Sequence, residues 1–229
     1  MALALFDLDN TLIAGDSDHL WGEFLVEQGI VDRDTYREAN DRFFQAYRDG
    51  TLDIDAYLRF ALAPLAAHEP EQLWQWRRAF VDDKIRPIVL ESGRSLVAGH
   101  RRAGDVTVIV TATNRFVTEP IAALFGVDEL LATTPEWTDS RYTGRVAGTP
   151  TFREGKVTVL EQWLVERGER LEGSTFYSDS HNDLALLERV SHPVAVDPDA
   201  ALRRTALERG WPVISLRGDG PDTHDQSFH

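Results

Sequence analysis

Apolar residues gather into five runs of strand length, Ala2 to Phe6, Val106 to Val110, Thr175 to Tyr177, Val194 to Val196 and Val213 to Leu216. Between the later runs they recur at every third or fourth position, which predicts helices over Thr118 to Phe125, Lys156 to Glu166, Asp183 to Val190 and Pro198 to Arg209. Continuous apolar runs suit strands buried on both faces, so the alternation predicts an α/β fold built on a doubly wound parallel sheet. In such sheets ligands bind beyond the carboxyl ends of the strands. From Leu12 to about Pro87 the pattern changes. Ser17 to Gln28, Arg33 to Arg48, Ile54 to Leu65 and Glu71 to Asp82 each repeat apolar residues at helical spacing, with no strand between them. That is too long for a loop and reads as an all-helical cap inserted after the first strand. The expected division is a core of residues 1–13 and 88–216, a cap of residues 14–87, and a polar tail, 217–229, expected to be disordered. Asp139, Ser140 and Gly144 supply turn chemistry for a short β-hairpin over Trp137 to Val146 at the sheet edge.

Composition narrows the chemistry. A chain of 229 residues with 42% hydrophobic content can bury a sizeable core, and with no cysteine it has neither disulfides, nor thiolate metal sites, nor a thiol nucleophile. Any metal must be held by oxygen or imidazole. The start, MALALFDLD, lacks a basic leader and reads as a core strand, and no apolar run approaches the roughly 20 residues of a membrane span. No membrane partner and a cytoplasmic location are therefore expected. A formal charge of −14 argues against a nucleic-acid partner and repels anions at long range. A phosphate ester would need a local cationic site. Lysine occurs only at Lys84 and Lys156, the second between a turn and a helix.

The segment FDLDNTL, Phe6 to Leu12, ends an apolar run on two aspartates at i and i+2. In an extended strand end, Asp7 and Asp9 leave on one face, and two such carboxylates need a cation between them. A divalent metal is the natural occupant. Three further features follow in order: Thr111 closing DVTVIVT, Lys156 in REGKVTVL, and Asp179 with Asp183 in TFYSDSHNDL. The last two acids, at i and i+4, would share one face of a helix's first turn.

These four motifs, in this order, resemble those of the haloacid dehalogenase (HAD) superfamily, whose members are mostly Mg²⁺-dependent phosphatases with an aspartate nucleophile. An all-helical insertion between the first and second motifs is similar to subfamily I, in the branch of phosphoserine phosphatases and histidinol-phosphate phosphatases. The resemblance implies a HAD-like Rossmannoid core and covers nearly the whole chain. It also implies Mg²⁺ held by the Asp7 side chain, the Asp9 carbonyl and Asp179, with Asp183 bonded to a metal water. Asp7 would form an aspartyl phosphate, and Asp9 would act as general acid and base. Thr111 would donate to the phosphate, with Thr113 and Asn114 as neighbouring candidates. Lys156 would balance the carboxylates and hold Asp7 ionised, and Asn182 would order the fourth motif's loop. Ser178 and Ser180 stand where many relatives have glycine, which leaves the shape of that loop open. Asn10 replaces a common glycine or serine.

The resemblance places Asp16 where phosphoserine phosphatases carry an acid against the substrate's amino group. It therefore implies a small amine-bearing phosphomonoester, with Asp16, Thr111, Asn114 and Lys156 as binding residues. Phosphoserine would also need a cation for its carboxylate, with Arg48 and Arg59 as candidates, whereas histidinol phosphate would not. The resemblance also implies that cap residues just after the first motif face the site, and GDSDHLW offers Asp16, Asp18 and His19 there. The aromatic residues Trp21, Phe24, Phe43, Phe44, Tyr47, Tyr57, Trp74 and Trp76 are expected in the cap core. Two alternatives share the same motifs: phosphoryl transfer to an alcohol or sugar, and a catalytically silent phosphate-binding domain. The second would not require both Asp7 and Asp9.

Overall fold

The computed structural model describes residues 2–218. Six parallel strands form one sheet: β1 (Leu3–Phe6), β2 (Val106–Asn114), β3 (Glu129–Thr133), β6 (Thr175–Ser178), β7 (His192–Val196) and β8 (Val213–Ile214), in the order β3-β2-β1-β6-β7-β8. The chain moves outward from β1 through β2 to β3, then returns to build β6, β7 and β8 on the other side. β1 therefore stands where the direction of strand addition reverses, the place where open α/β sheets form a ligand crevice.

Side chains alternate across the sheet and feed two separate cores. Leu3, Leu5, Val108, Val110 and Phe176 face one layer, shared with α7 (Glu154–Arg167), α8 (Leu184–Leu187) and α9 (Ala200–Arg209). Ala4, Phe6, Ile109 and Tyr177 face the other, which holds α5 (Glu91–Ala103) and α6 (Arg115–Phe125). Burial on both faces explains why these strands read as continuous apolar runs rather than alternating ones.

Between β1 and α5 lie four inserted helices: α1 (Ser17–Glu27), α2 (Arg33–Arg48), α3 (Ile54–Ala67) and α4 (Pro70–Phe80). The first three start on an aspartate, Asp16, Asp32 or Asp53, whose side chain accepts from backbone N–H groups of the first turn. Trp21, Phe24, Leu62, Leu65, Leu73 and Phe80 pack into the same core as Phe6 and Val117. A π-turn over Val81–Ile85 and a 3₁₀ turn over Arg86–Ile88 bring the chain back. The outgoing and returning segments run side by side, with Ala14 N–H donating to Ile88 O (2.8 Å) and Leu90 N–H to Leu12 O (3.1 Å).

Several elements differ from the expectations. β2 continues past Val110 to Asn114, with a register shift between Thr111 and Asn114. The edge strand β3 and helix α5 were not foreseen. α8 is one turn following a 3₁₀ turn at His181–Asp183. The hairpin forms from β4 (Pro135–Thr138) and β5 (Arg141–Val146), but it is a separate two-stranded sheet rather than an addition to the main one. Gly144, at φ +79°, lets β5 lie close on α3, since a Cβ there would come within 3.2 Å of the Ala66 methyl. Of the residues expected to be disordered, Arg217 donates to the Asn10 carbonyl at 2.8 Å. The expectation for residues 219–229 lies outside the described residues. Among the described residues, no helix is long and apolar enough to cross a membrane.

Candidate active site

The carboxyl ends of β1 and β6 deliver the acids, and that of β2, between them and the β3 edge, delivers hydroxyls. Asp7 follows β1 directly, is 4% exposed, and donates its N–H to Tyr177 O at 2.8 Å. Its Oδ1 accepts from Lys156 Nζ at 2.7 Å. That ammonium, on the first turn of α7 and 2% exposed, also bonds Asp183 at 2.8 Å. One buried cation thus ties together the first, third and fourth sequence motifs.

Asp9 is held from both sides. Oδ1 accepts from Ser17 N–H at 2.6 Å, and Oδ2 accepts from the Thr113 hydroxyl at 2.8 Å, with the Thr111 hydroxyl at 3.5 Å. The bulged end of β2 turns both threonines toward the acid, a use of bulges common beside active sites. Asp179, after β6, meets the first motif through Thr11, whose hydroxyl donates to Asp179 Oδ1 and accepts from Asp179 N–H, both at 3.1 Å. Sequence reasoning gave Thr11 no role, although its place in the first motif was the available signal.

Serines at 178 and 180 staple the fourth motif's loop. Ser178 Oγ donates to Asp183 Oδ2 at 2.7 Å and accepts from Ser180 N–H at 3.1 Å, and Ser180 Oγ accepts from Asn182 N–H at 3.2 Å. Hydroxyls supply here what glycine would have left to the bare backbone. Asn182 extends the network, accepting from Arg153 Nε at 3.0 Å and donating to Tyr47 O, at the end of α2, also at 3.0 Å. Asn10 adopts φ +56°, a conformation asparagine tolerates better than most residues.

The burial is electrostatically demanding. Desolvation pushes Asp7 up to about 7, with Lys156 opposing and Asp183 and Asp9 adding to the rise. It pushes Asp9 up to about 6, helped by Asp16. Asp179 is held well above its ordinary range, by burial first and then by repulsion from Asp7 and Asp183. Burial alone would lower Lys156, but Asp183 and Asp7 keep its proton bound more tightly than usual. Several carboxylates thus converge on one ammonium, an oxygen-rich and electron-rich site short of positive charge. That donor set fits a hard divalent cation. The free oxygens belong to Asp7 and Asp179, because Asp183 is engaged by Lys156 and Ser178. The tightest acid and imidazole grouping among the described residues lies elsewhere, at His19, Glu23 and Asp41, where Glu23 already pairs with Arg37 at 3.3 Å.

Above Asp7 and Asp9 a cavity opens between the sheet and the inserted helices. Its floor is Asp7, Asp9, Thr111, Ala112 and Thr113. Asp16, Asp18 and His19 come from the start of α1, and Asn40, Phe43, Phe44 and Tyr47 come from α2. Leu52, Ile54, Tyr57 and Phe152 complete the wall. Phe43, Phe44, Tyr47 and Tyr57 thus line the cavity, which corrects their assignment to the cap core. Trp21 and Phe24 are core, while Trp74 is 38% exposed and Trp76 packs at the core's margin. No arginine or lysine is among the lining residues. Arg48 lies over the Phe44 ring and faces a neighbouring cavity beside Asp179, and Arg59 is exposed.

Asn114 is not part of this site. Its Oδ1 accepts from Val117 N–H at 3.2 Å as the N-cap of α6, and it is absent from the cavity wall. Helix capping has claimed the side chain proposed for substrate, and Thr113 reaches Asp9 instead.

A family model of haloacid dehalogenase-like hydrolases matches residues 4–188. The chain belongs to that family. Over 219 residues it is 49% identical to a histidinol-phosphatase of Neisseria meningitidis serogroup C (strain 8013), covering 94% of this chain and 99% of the relative. Over 222 residues it is 32% identical to the phosphoserine phosphatase SerB1 of Mycobacterium tuberculosis (strain ATCC 25618 / H37Rv), covering 94% and 71%. A crystal structure of a protein of unknown function from Bordetella pertussis Tohama I superposes with a TM-score of 0.89 at 49% identity, covering 94% of this chain and 98% of that one. Within the family, the chain is a phosphatase.

Proposed function

We propose that the protein is a Mg²⁺-dependent phosphomonoester hydrolase that works through an aspartyl phosphate on Asp7, with histidinol phosphate its best-fitting substrate. One observation carries the substrate reading: the cavity over Asp7 is walled by carboxylates and aromatic rings and has no arginine or lysine in its wall to receive a carboxylate. An amine-bearing ester without a carboxylate suits that wall. Phosphoserine leaves its carboxylate facing Asp9, Asp16 or Asp18. The identity with a histidinol-phosphatase over nearly its whole length supports the same choice.

Asp7, Asp9 through its carbonyl, and Asp179 would hold the metal, with Asp183 acting on Lys156 and through water. Bound there, Mg²⁺ would offset the repulsion between the Asp7 carboxylate and the phosphate. Asp7 attacks phosphorus as the ester P–O bond breaks, and Asp9 gives its proton to the departing alkoxide. In the second step Asp9 takes a proton from water, whose oxygen attacks phosphorus and returns Asp7 to a free carboxylate. An acid raised to about 6 is suited to both transfers near neutral pH. Lys156 keeps Asp7 aimed and ionised, and Thr111 and Thr113 orient Asp9. Asp16, with Oδ1 committed to the N–H groups of Asp18 and His19, offers its other oxygen to the substrate's ammonium.

The test is phosphate release from a panel of phosphomonoesters with Mg²⁺ and with chelator. Histidinol phosphate should exceed phosphoserine in kcat/KM by at least about tenfold, the scale set by leaving a charge unpaired, and chelator should abolish both. A preference for phosphoserine would overturn the substrate reading. Product analysis with an added acceptor alcohol distinguishes hydrolysis from phosphoryl transfer.

A further inference from the structure

The cavity has a second acidic position that the proposed reaction leaves without a task. Asp18 follows Asp16 by two residues at the start of α1, and its Oδ2 accepts the hydroxyl proton of Tyr57, a residue of α3. Both line the cavity. Among the described residues Asp18 has no cationic partner, and burial pushes it up to about 7. The rings of Phe43 and Phe44 line the same cavity, the latter stacked on His19 at 4.5 Å. Phe43 meets Tyr57 edge to face at 5.4 Å. An aliphatic ammonium would satisfy Asp18 but could meet a ring only as a point cation, without stacking, and a plain aryl group would pack on the rings and leave Asp18 unpaired. A flat heteroaromatic ring with an N–H at its edge satisfies both.

Resting on the phosphatase reading above, we infer that Asp18, braced by Tyr57, is the specificity-determining residue that accepts the ring N–H of an imidazole-type head group. Asp16 is left for the primary amine nearer the phosphate. The division of labour follows from the partners each acid has. Asp16 is fixed by two backbone amides at the mouth of α1 and adds to the charge felt by Asp9. Asp18 is fixed by a side chain from α3.

The experiment compares wild type with Asp18→Asn, an isosteric change, and with Tyr57→Phe. The readout is the ratio of kcat/KM for histidinol phosphate to that for 2-aminoethyl phosphate, which has the amine but no ring. That ratio should fall about 10- to 100-fold in Asp18→Asn, the range for losing a charged hydrogen-bond partner, and less in Tyr57→Phe. Calorimetric titration with histidinol, which has no ester to cleave, should show weaker binding to Asp18→Asn. An unchanged ratio, or equal histidinol binding by wild type and variant, overturns the inference. A wild type inert toward every phosphomonoester, yet binding histidinol in an Asp18-dependent way, would sink the hydrolase reading and leave this one standing.

Discussion

On the floor of the cavity Asp7 and Asp183 share one buried ammonium, and Asp9 takes hydrogen bonds from Ser17, Thr113 and Thr111. In the roof, Asp16 rests on two backbone amides and Asp18 on one phenol, with no cation near either in the cavity wall. The floor is wired to itself across the sheet, because chemistry requires fixed distances between acid, base and reacting atom. In the proposed function the roof's charge is left for the substrate. A site can therefore show where catalysis ends and recognition begins by which of its acids the protein has already satisfied.

The strongest challenge to this contrast is Asp7→Asn. It keeps the shape of the floor and removes the attacking oxygen, so kcat should fall by about a thousandfold or more. Circular dichroism should remain that of wild type. Full activity in the variant would take the chemistry away from Asp7.

Lys156→Ala tests the wiring directly. Two carboxylates with side chains 5% and 2% exposed would lose their shared counter-charge, at a cost of about 3–5 kcal/mol when one partner of a buried pair is removed. For a chain of this size that lowers the melting temperature by about 10 °C. Added Mg²⁺ should recover part of the loss. A change below about 2 °C would mean that the floor does not depend on its ammonium.

The floor was the legible half. Asp7, Asp9 and Asp179 follow strands and Lys156 opens a helix, in the order of the motifs the chain shares with its family, so these residues could be singled out before any contact was known. The roof was legible at Asp16, Asp18 and His19, just after the first motif, but not in its aromatic wall. An aromatic residue on α2 has the same helical spacing whether it faces a core or a cavity, and Phe43, Phe44 and Tyr47 could not be separated from Trp21 and Phe24 on periodicity. Strand β3 was missed because ELLAT is short and begins on a charge, and α5 because its apolar stripe is thinned by Gly93, Gly99 and three arginines. The hairpin's turn chemistry was visible, but its seat on α3 is a tertiary fact.

Proton linkage separates floor from roof by a smaller effect. Asp7, Asp9, Asp16 and Asp18 are all raised from 3.8, to about 7, 6, 7 and 7. A carboxyl raised in the folded state contributes stability that is full below pH 3.8 and lost as pH climbs through 6 to 7. Metal-free protein should therefore melt lower at pH 8 than at pH 5, by at least about 5 °C. Mg²⁺ should relieve the floor's share alone, so its stabilising effect should grow with pH. A melting shift with Mg²⁺ that is the same at both pH values would contradict the proposed seat for the ion.

The smallest effect concerns a residue that separates structural from functional use of one chemical group. Asn114 lies three residues past Thr111, 2% exposed, with an amide that could have faced a phosphate, yet its Oδ1 closes the first turn of α6. Asn114→Ala should cost about 1 kcal/mol through loss of the cap, lowering the melting temperature by about 2–4 °C. Because the side chain is turned from the cavity, KM for histidinol phosphate should stay within about twofold of wild type, the scatter expected of a surface or capping change. A rise in KM without a drop in melting temperature would return Asn114 to the site and move the boundary of the floor outward by one helix cap.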